Sequence, residues 1–115
     1  ANAPDSQVGK PPQTEKAPQI VMALRDHFRD YVKHLKSHET PAARIADIER
    51  QVRRIARQCG FLRLSEIKAD AVKKWLSDRE ADGMPATARN AHLNDLMNFV
   101  EWCLREKRLP RNPLT

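Results

Sequence analysis

Between residues 19 and 107, apolar side chains return every three or four positions in four successive runs, and that spacing limits what the chain can become. A helix carries every third or fourth residue to one side, so each run reads as a helix with one buried stripe. Three glycines and few consecutive β-branched residues agree with an all-α fold. In the first run Leu24, Phe28, Tyr31 and Leu35 fall at i, i+4, i+7 and i+11, with Ile20 and Val32 alongside, which predicts a helix from Gln19 to about His38. In "SHETPAAR", Thr40 is suited to the N-cap and Pro41 to the first helical position, where a missing amide is harmless. The second helix then runs to about Gln58 on a stripe of Ile45, Ile48, Val52, Ile55 and Cys59, and Gly60 is placed to close it. Phe61, Leu64 and Ile67 return to the core through "FLRLSEI". The third helix, about Ala69 to Ala81, buries Val72, Trp75 and Leu76, leaves Lys73, Lys74, Asp78 and Arg79 in water, and ends at Gly83. The fourth starts near Pro85 or Ala86 and runs to about Lys107, burying Leu93, Leu96, Met97, Val100 and Leu104, with Phe99 and Trp102 to one side. Four helices on short loops make a small orthogonal or bundle-like all-α domain.

Residues 1–18 hold four prolines and no aromatic side chain, a composition that cannot repay ordering entropy, so they read as a disordered tail. The helical domain covers 19–111, and 112–115 begin a linker. A core of this size leaves little room for a deep cleft, so no small-molecule substrate is expected.

Charge narrows the class of partner. The net charge is +6, and two stretches account for all of it. Residues 44–57 set five arginines against Asp47 and Glu49, and residues 105–111 set Arg105, Lys107, Arg108 and Arg111 against Glu106. Clustered cations are the footprint of a phosphate backbone, because each phosphate they neutralise releases condensed counterions. On the second helix Arg50 and Arg57 stand almost opposite the apolar stripe, Arg53 and Arg54 flank it, and Arg44 lies at the helix start. At the head of the fourth helix Thr87, Arg89, Asn90 and His92 crowd the positive end of the dipole, and Asn94 and Asn98 extend that polar face. These groups suit phosphate oxygens or base edges.

Other chemistries are poorly served. Cys59 and Cys103 lack disulfide or metal spacing and lie on apolar stripes, which points to a reducing, cytoplasmic setting. His34 and His38 face each other across one turn without a matching third ligand, so no metal or cofactor is expected. Asp78, Glu80 and Asp82 have nothing apolar to raise a pKa, and no catalytic pair is assembled. Trp75 and Trp102 lie in or beside apolar stripes and read as core. No apolar run approaches the roughly 18 residues that cross a bilayer, and no charged-then-apolar leader opens the chain.

The Thr40-Pro41 break, "CGFLRLSEIKADAVKKWL" and "GMPATARNAHLNDLMNFVEWCLREKRLPRNPL" together resemble the amino-terminal core-binding domain of tyrosine recombinases, the phage integrase family. The likeness runs from residue 19 to the end. It rests on the turn from Leu64 to Ile67, on Gly83, Thr87, Asn90, Leu93, Leu96, Phe99 and Trp102, and on Asn112-Pro113. It implies a SAM-like helical domain that grips one side of duplex DNA, with the second and fourth helices toward the major groove at a recombination half-site. Thr87 and Asn90 match the family's Thr-x-x-Asn, Arg89 and His92 lie beside them, and Arg44, Arg50 and Arg54 are the looser choices on the second helix. Pro85 stands where the family often has Ser, and His92 where Tyr is frequent. The family's catalytic residues belong to a following domain, so this chain is expected to bind without cutting, as a monomer by itself and within a tetramer in a full-length parent. Two other classes compete. A protein-interaction module needs an exposed apolar patch, whereas these outward faces are charged. A helix-turn-helix regulator needs a three- or four-residue turn, whereas about ten residues separate the second and third helices.

Overall fold

Each helix ends where the backbone turns left-handed. The computed structural model describes residues 22–115, so the tail expected over 1–18 lies outside the described residues; Met22 and Ala23 are not helical, and the first helix begins at Leu24, later than the expected Gln19. Within that range α1 spans Leu24–Ser37, α2 Ala42–Cys59, α3 Ala69–Ala81 and α4 Ala86–Arg105, with one 3-10 turn at Leu64–Glu66 and no strand. Gly60 adopts φ 78° and Gly83 φ 93°, a region that costs a Cβ-bearing residue strain. Around Gly60 the amides of Gly60 and Phe61 reach the carbonyls of Arg57 and Ala56, and around Gly83 those of Gly83 and Met84 reach Glu80 and Arg79. Lys107 closes α4 in the same way at φ 59°, so this helix ends two residues earlier than expected.

α3 and α4 start where their spacing predicts, whereas the cap of α2 differs from the sequence expectation. Pro41 and Pro85 occupy the N-cap itself, not the first helical position, and neither α2 nor α4 has a side-chain cap. A proline with extended ψ still offers its carbonyl: Ile45 donates to Pro41 O and Arg89 to Pro85 O, each at 3.0 Å. Thr40 is therefore no cap, and its amide donates to Leu35 O, closing α1. Between α2 and α3, Glu66 Oε1 accepts from the Leu62 and Arg63 amides at 2.6 and 3.1 Å, which folds the turn so that Phe61, Leu64 and Ile67 are buried.

The core lies where α2 and α4 cross, with α1 and α3 packed on that pair. Val52, Ile55, Leu96, Phe99, Val100 and Cys103 are its most enclosed side chains. Phe28 meets Phe99 edge-on at 5.3 Å, and Tyr31 lies 5.4 Å from Phe99 and 5.3 Å from Trp102. The buried stripe of α4 is His92, Asp95, Leu96, Phe99, Val100, Trp102 and Cys103. It sits about a quarter-turn round the helix from the stripe the spacing predicts. Leu93 and Leu104 are half-buried and Met97 is exposed, because an aromatic-bearing face removes more area from water than an aliphatic one. Leu35 and Leu76 are likewise only partly covered.

The segment after α4 folds back. The Arg108 guanidinium lies 4.6 Å from the Trp102 ring and donates to Asp30 Oδ2 at 2.8 Å and to His27 Nδ1 at 3.2 Å. That hydrogen bond holds the Asp30 carboxyl below its usual range, and burial together with the Arg108 charge pushes the His27 imidazole down. Leu109 and Leu114 rest on the core, and Asn112 Oδ1 accepts from the Leu114 amide at 2.8 Å. Arg108 is thus committed to α1, not held out for phosphate as the charge run suggests.

Candidate nucleic-acid interface

The arginine-bearing helix α2 and the first half of α4 meet along one seam. Arg44, in the first turn of α2, grips Asp95 of α4 with Nη2 at 2.6 Å from Oδ1 and Nη1 at 3.3 Å from Oδ2. Asp95 is 2% exposed, while Arg44 keeps 47% of its side chain in water. The fork raises the Arg44 pKa further. Further along, Arg54 and Gln58 of α2 line an open depression with Ala88 and His92 of α4, so the helices run in opposite senses where they touch. Arg44→Ala leaves a buried carboxylate unpaired. The expected cost is about 2–3 kcal/mol, below the figure for a fully buried pair because Arg44 is half in water. Chemical denaturation checks this through a lower midpoint at unchanged slope. Removing Asp95 in the same background restores part of the loss.

On α2, Arg50 pairs with Asp47 at 2.7 Å and Arg53 with Glu49 at 3.7 Å. All four side chains are at least a third exposed, so these pairs are worth under about 1 kcal/mol and exchange readily for another anion. Arg57 is exposed, Arg54 is half-buried, and among the described residues neither meets a carboxylate. The α2 arginines therefore divide into one structural anchor, Arg44, and a face of Arg50, Arg53, Arg54 and Arg57 directed away from the stripe.

On α4 the rotated stripe sorts the expected contact residues. Thr87, Asn90 and Asn94 are exposed. Arg89 folds back, donating to Met84 O and lying 4.0 Å from Glu80, with only 19% of its side chain exposed. His92 is 7% exposed, and its Nδ1 sits 2.7 Å from Ala88 O; since a carbonyl only accepts, Nδ1 carries the proton. Its ring packs 5.3 Å from Trp75. Placing His92 on an outward contact edge is thus corrected: it is a core residue whose edge reaches the depression.

Three participants were not singled out by sequence. Asp95 anchors Arg44, and Gln58 Oε1 accepts from Trp75 Nε1 at 2.7 Å and from Arg79 Nη1 at 2.8 Å. Arg79, expected in water, keeps 21% of its side chain exposed and pairs with Asp82 at 2.8 Å. Only the spacing of Asp95 from Leu96 and Phe99, which puts it inside the aromatic stripe, hinted at its burial.

Other chemistry finds little support. Tyr31 is buried, which raises its phenol pKa, and burial pushes the Cys103 thiol up to about 12. Among the described residues no three His, Cys, Asp or Glu groups could hold a metal, although the His34 and His38 rings lie 4.2 Å apart, tilted by 43°. No described helix is long and apolar enough to cross a membrane. Compared with protein-family models, curated proteins and solved structures, the chain matches none of them.

Proposed function

We propose that this chain is the helical module with which a site-specific tyrosine recombinase grips duplex DNA, and that its four helices take that family's orthogonal, SAM-like arrangement. The observation that carries the reading is the seam between α2 and α4. It brings Arg54 of α2 to one open depression with Ala88 and His92 at the side-chain-uncapped head of α4, while Arg50 and Arg57 of α2 and Thr87, Asn90 and Asn94 of α4 are exposed. A guanidinium face supplies phosphate contacts, and a helix head with amide side chains beside it supplies further phosphate or base-edge contacts. The module positions DNA; in the family it resembles, strand cleavage belongs to a separate carboxy-terminal domain. The cytoplasm is the compartment in which such a role operates.

A fluorescence titration with a random-sequence duplex at two salt concentrations tests this. Neutralising three or four phosphates gives a slope of log affinity against log salt near about −3, a roughly sixty-fold loss for a fourfold rise in salt. Absence of binding at low salt, or affinity indifferent to salt, overturns the reading.

A further inference from the structure

We infer that the depression between the ends of α2 and α3 and the head of α4 is a site for a single phosphate group, with Arg54 as its principal ligand. An arginine whose stem is partly covered holds its guanidinium at a set place on the surface, and where no protein acceptor engages it, its donors stay available to an anion. Among the described residues Arg54, Arg79, Arg89 and Arg108 are half-buried. Arg79 meets Asp82 at 2.8 Å, Arg89 meets Glu80 at 4.0 Å, and Arg108 meets Asp30 at 2.8 Å. Arg54 alone of these has neither a carboxylate nor a hydrogen-bond acceptor among the described residues.

What surrounds Arg54 favours an anion from outside. The depression measures about 630 Å³, opens to solvent, and is also lined by Arg79, Ala88 and His92. Asp82 is the one carboxylate in its lining, and it is engaged by Arg79. The Arg79 Nε atom is buried with no partner, so this guanidinium has a donor to spare beyond Gln58 and Asp82. Pro85 leaves the first turn of α4 without a side-chain cap, and Ala88 of that turn borders the depression. Two guanidinium groups and a positive helix end thus face one open space against a single acid. A tetrahedral oxyanion with several acceptor oxygens satisfies them, and arginine's fork takes two of those oxygens together.

This deepens the DNA-gripping reading and rests on it for the source of the phosphate, which is then one group of the duplex backbone; a free phosphate offers the same chemistry. The test is amide and arginine-side-chain NMR on the 115-residue chain, titrated separately with inorganic phosphate and with a random-sequence duplex. Both probes are expected to move the Met84 and Ala88 amides and the Arg54 Nε–H. Arg54→Gln is expected to weaken phosphate binding about tenfold, the loss of one charge-assisted contact, at unchanged helical content. If that variant melts early, Arg54→Lys, which keeps the charge and loses the fork, gives the same comparison with a smaller drop. Duplex binding that leaves these signals still overturns the site and spares the DNA reading. Phosphate binding here without duplex binding upholds the site and overturns the DNA reading. Silence with both probes overturns both.

Discussion

Phe99→Ala is expected to remove about 3–5 kcal/mol of stability and to leave the domain largely unfolded at physiological temperature. Phe99 is fully buried, at the point where α4 crosses α2 and where the rings of Phe28 and Tyr31 converge at 5.3 and 5.4 Å. Truncation loses the transfer free energy of the ring, opens a cavity that the surrounding helices cannot fully relax into, and breaks three aromatic contacts, the one with Trp102 at 6.5 Å included. A domain of this size holds only about 5–10 kcal/mol in total, so a single position consumes much of it. Thermal unfolding followed by circular dichroism reads the effect as a large fall in Tm. Met97→Ala, on the exposed side of the same helix, is expected to change Tm little; a larger loss there than at Phe99 contradicts the assignment of the buried face.

That comparison touches the place where the sequence was least legible. Helix number, the Gly60 and Gly83 stops, the α3 limits and the buried stripe of α2 follow from spacing and turn chemistry, which are local. For α4 two stripes overlap, one aliphatic through Leu93, Met97 and Leu104, the other through Phe99, Trp102 and Cys103. Periodicity does not choose between them. Area does, and the second stripe also carries His92 and Asp95, polar residues that make it look less like a core. Asp95 is tolerable inside only because Arg44, from another helix, reaches it, a pairing across 51 positions that no local pattern displays. The same holds for the arginine face: spacing places Arg50 and Arg57 opposite the stripe of α2 and Arg53 and Arg54 on its flanks, whereas which arginine is anchored, which is paired and which lacks an acid depends on neighbours brought in by tertiary packing. Arg108 is the plainest case, read as part of a free basic run and found bridging α1 and Trp102.

Duplex binding by the exposed arginine face of α2, as proposed, predicts that a paired charge reversal on that face abolishes most of the affinity. Arg50 and Arg57 are both exposed, so Arg50→Glu with Arg57→Glu perturbs no core contact and leaves the Arg44 anchor and the Arg54 depression intact. Each reversal removes one phosphate contact and sets a carboxylate in its place. Affinity for a random-sequence duplex is expected to fall about a hundred-fold or more at low salt, and the salt slope to shrink by about 2, with helical content unchanged. Lys73→Glu with Lys74→Glu alters net charge by the same amount on the exposed side of α3, away from the seam, and separates face from bulk charge. The expected result is a large loss for the α2 pair and a small one for the α3 pair. Equal losses for both pairs, or an α2 variant that binds as tightly as the original chain, contradict the claim.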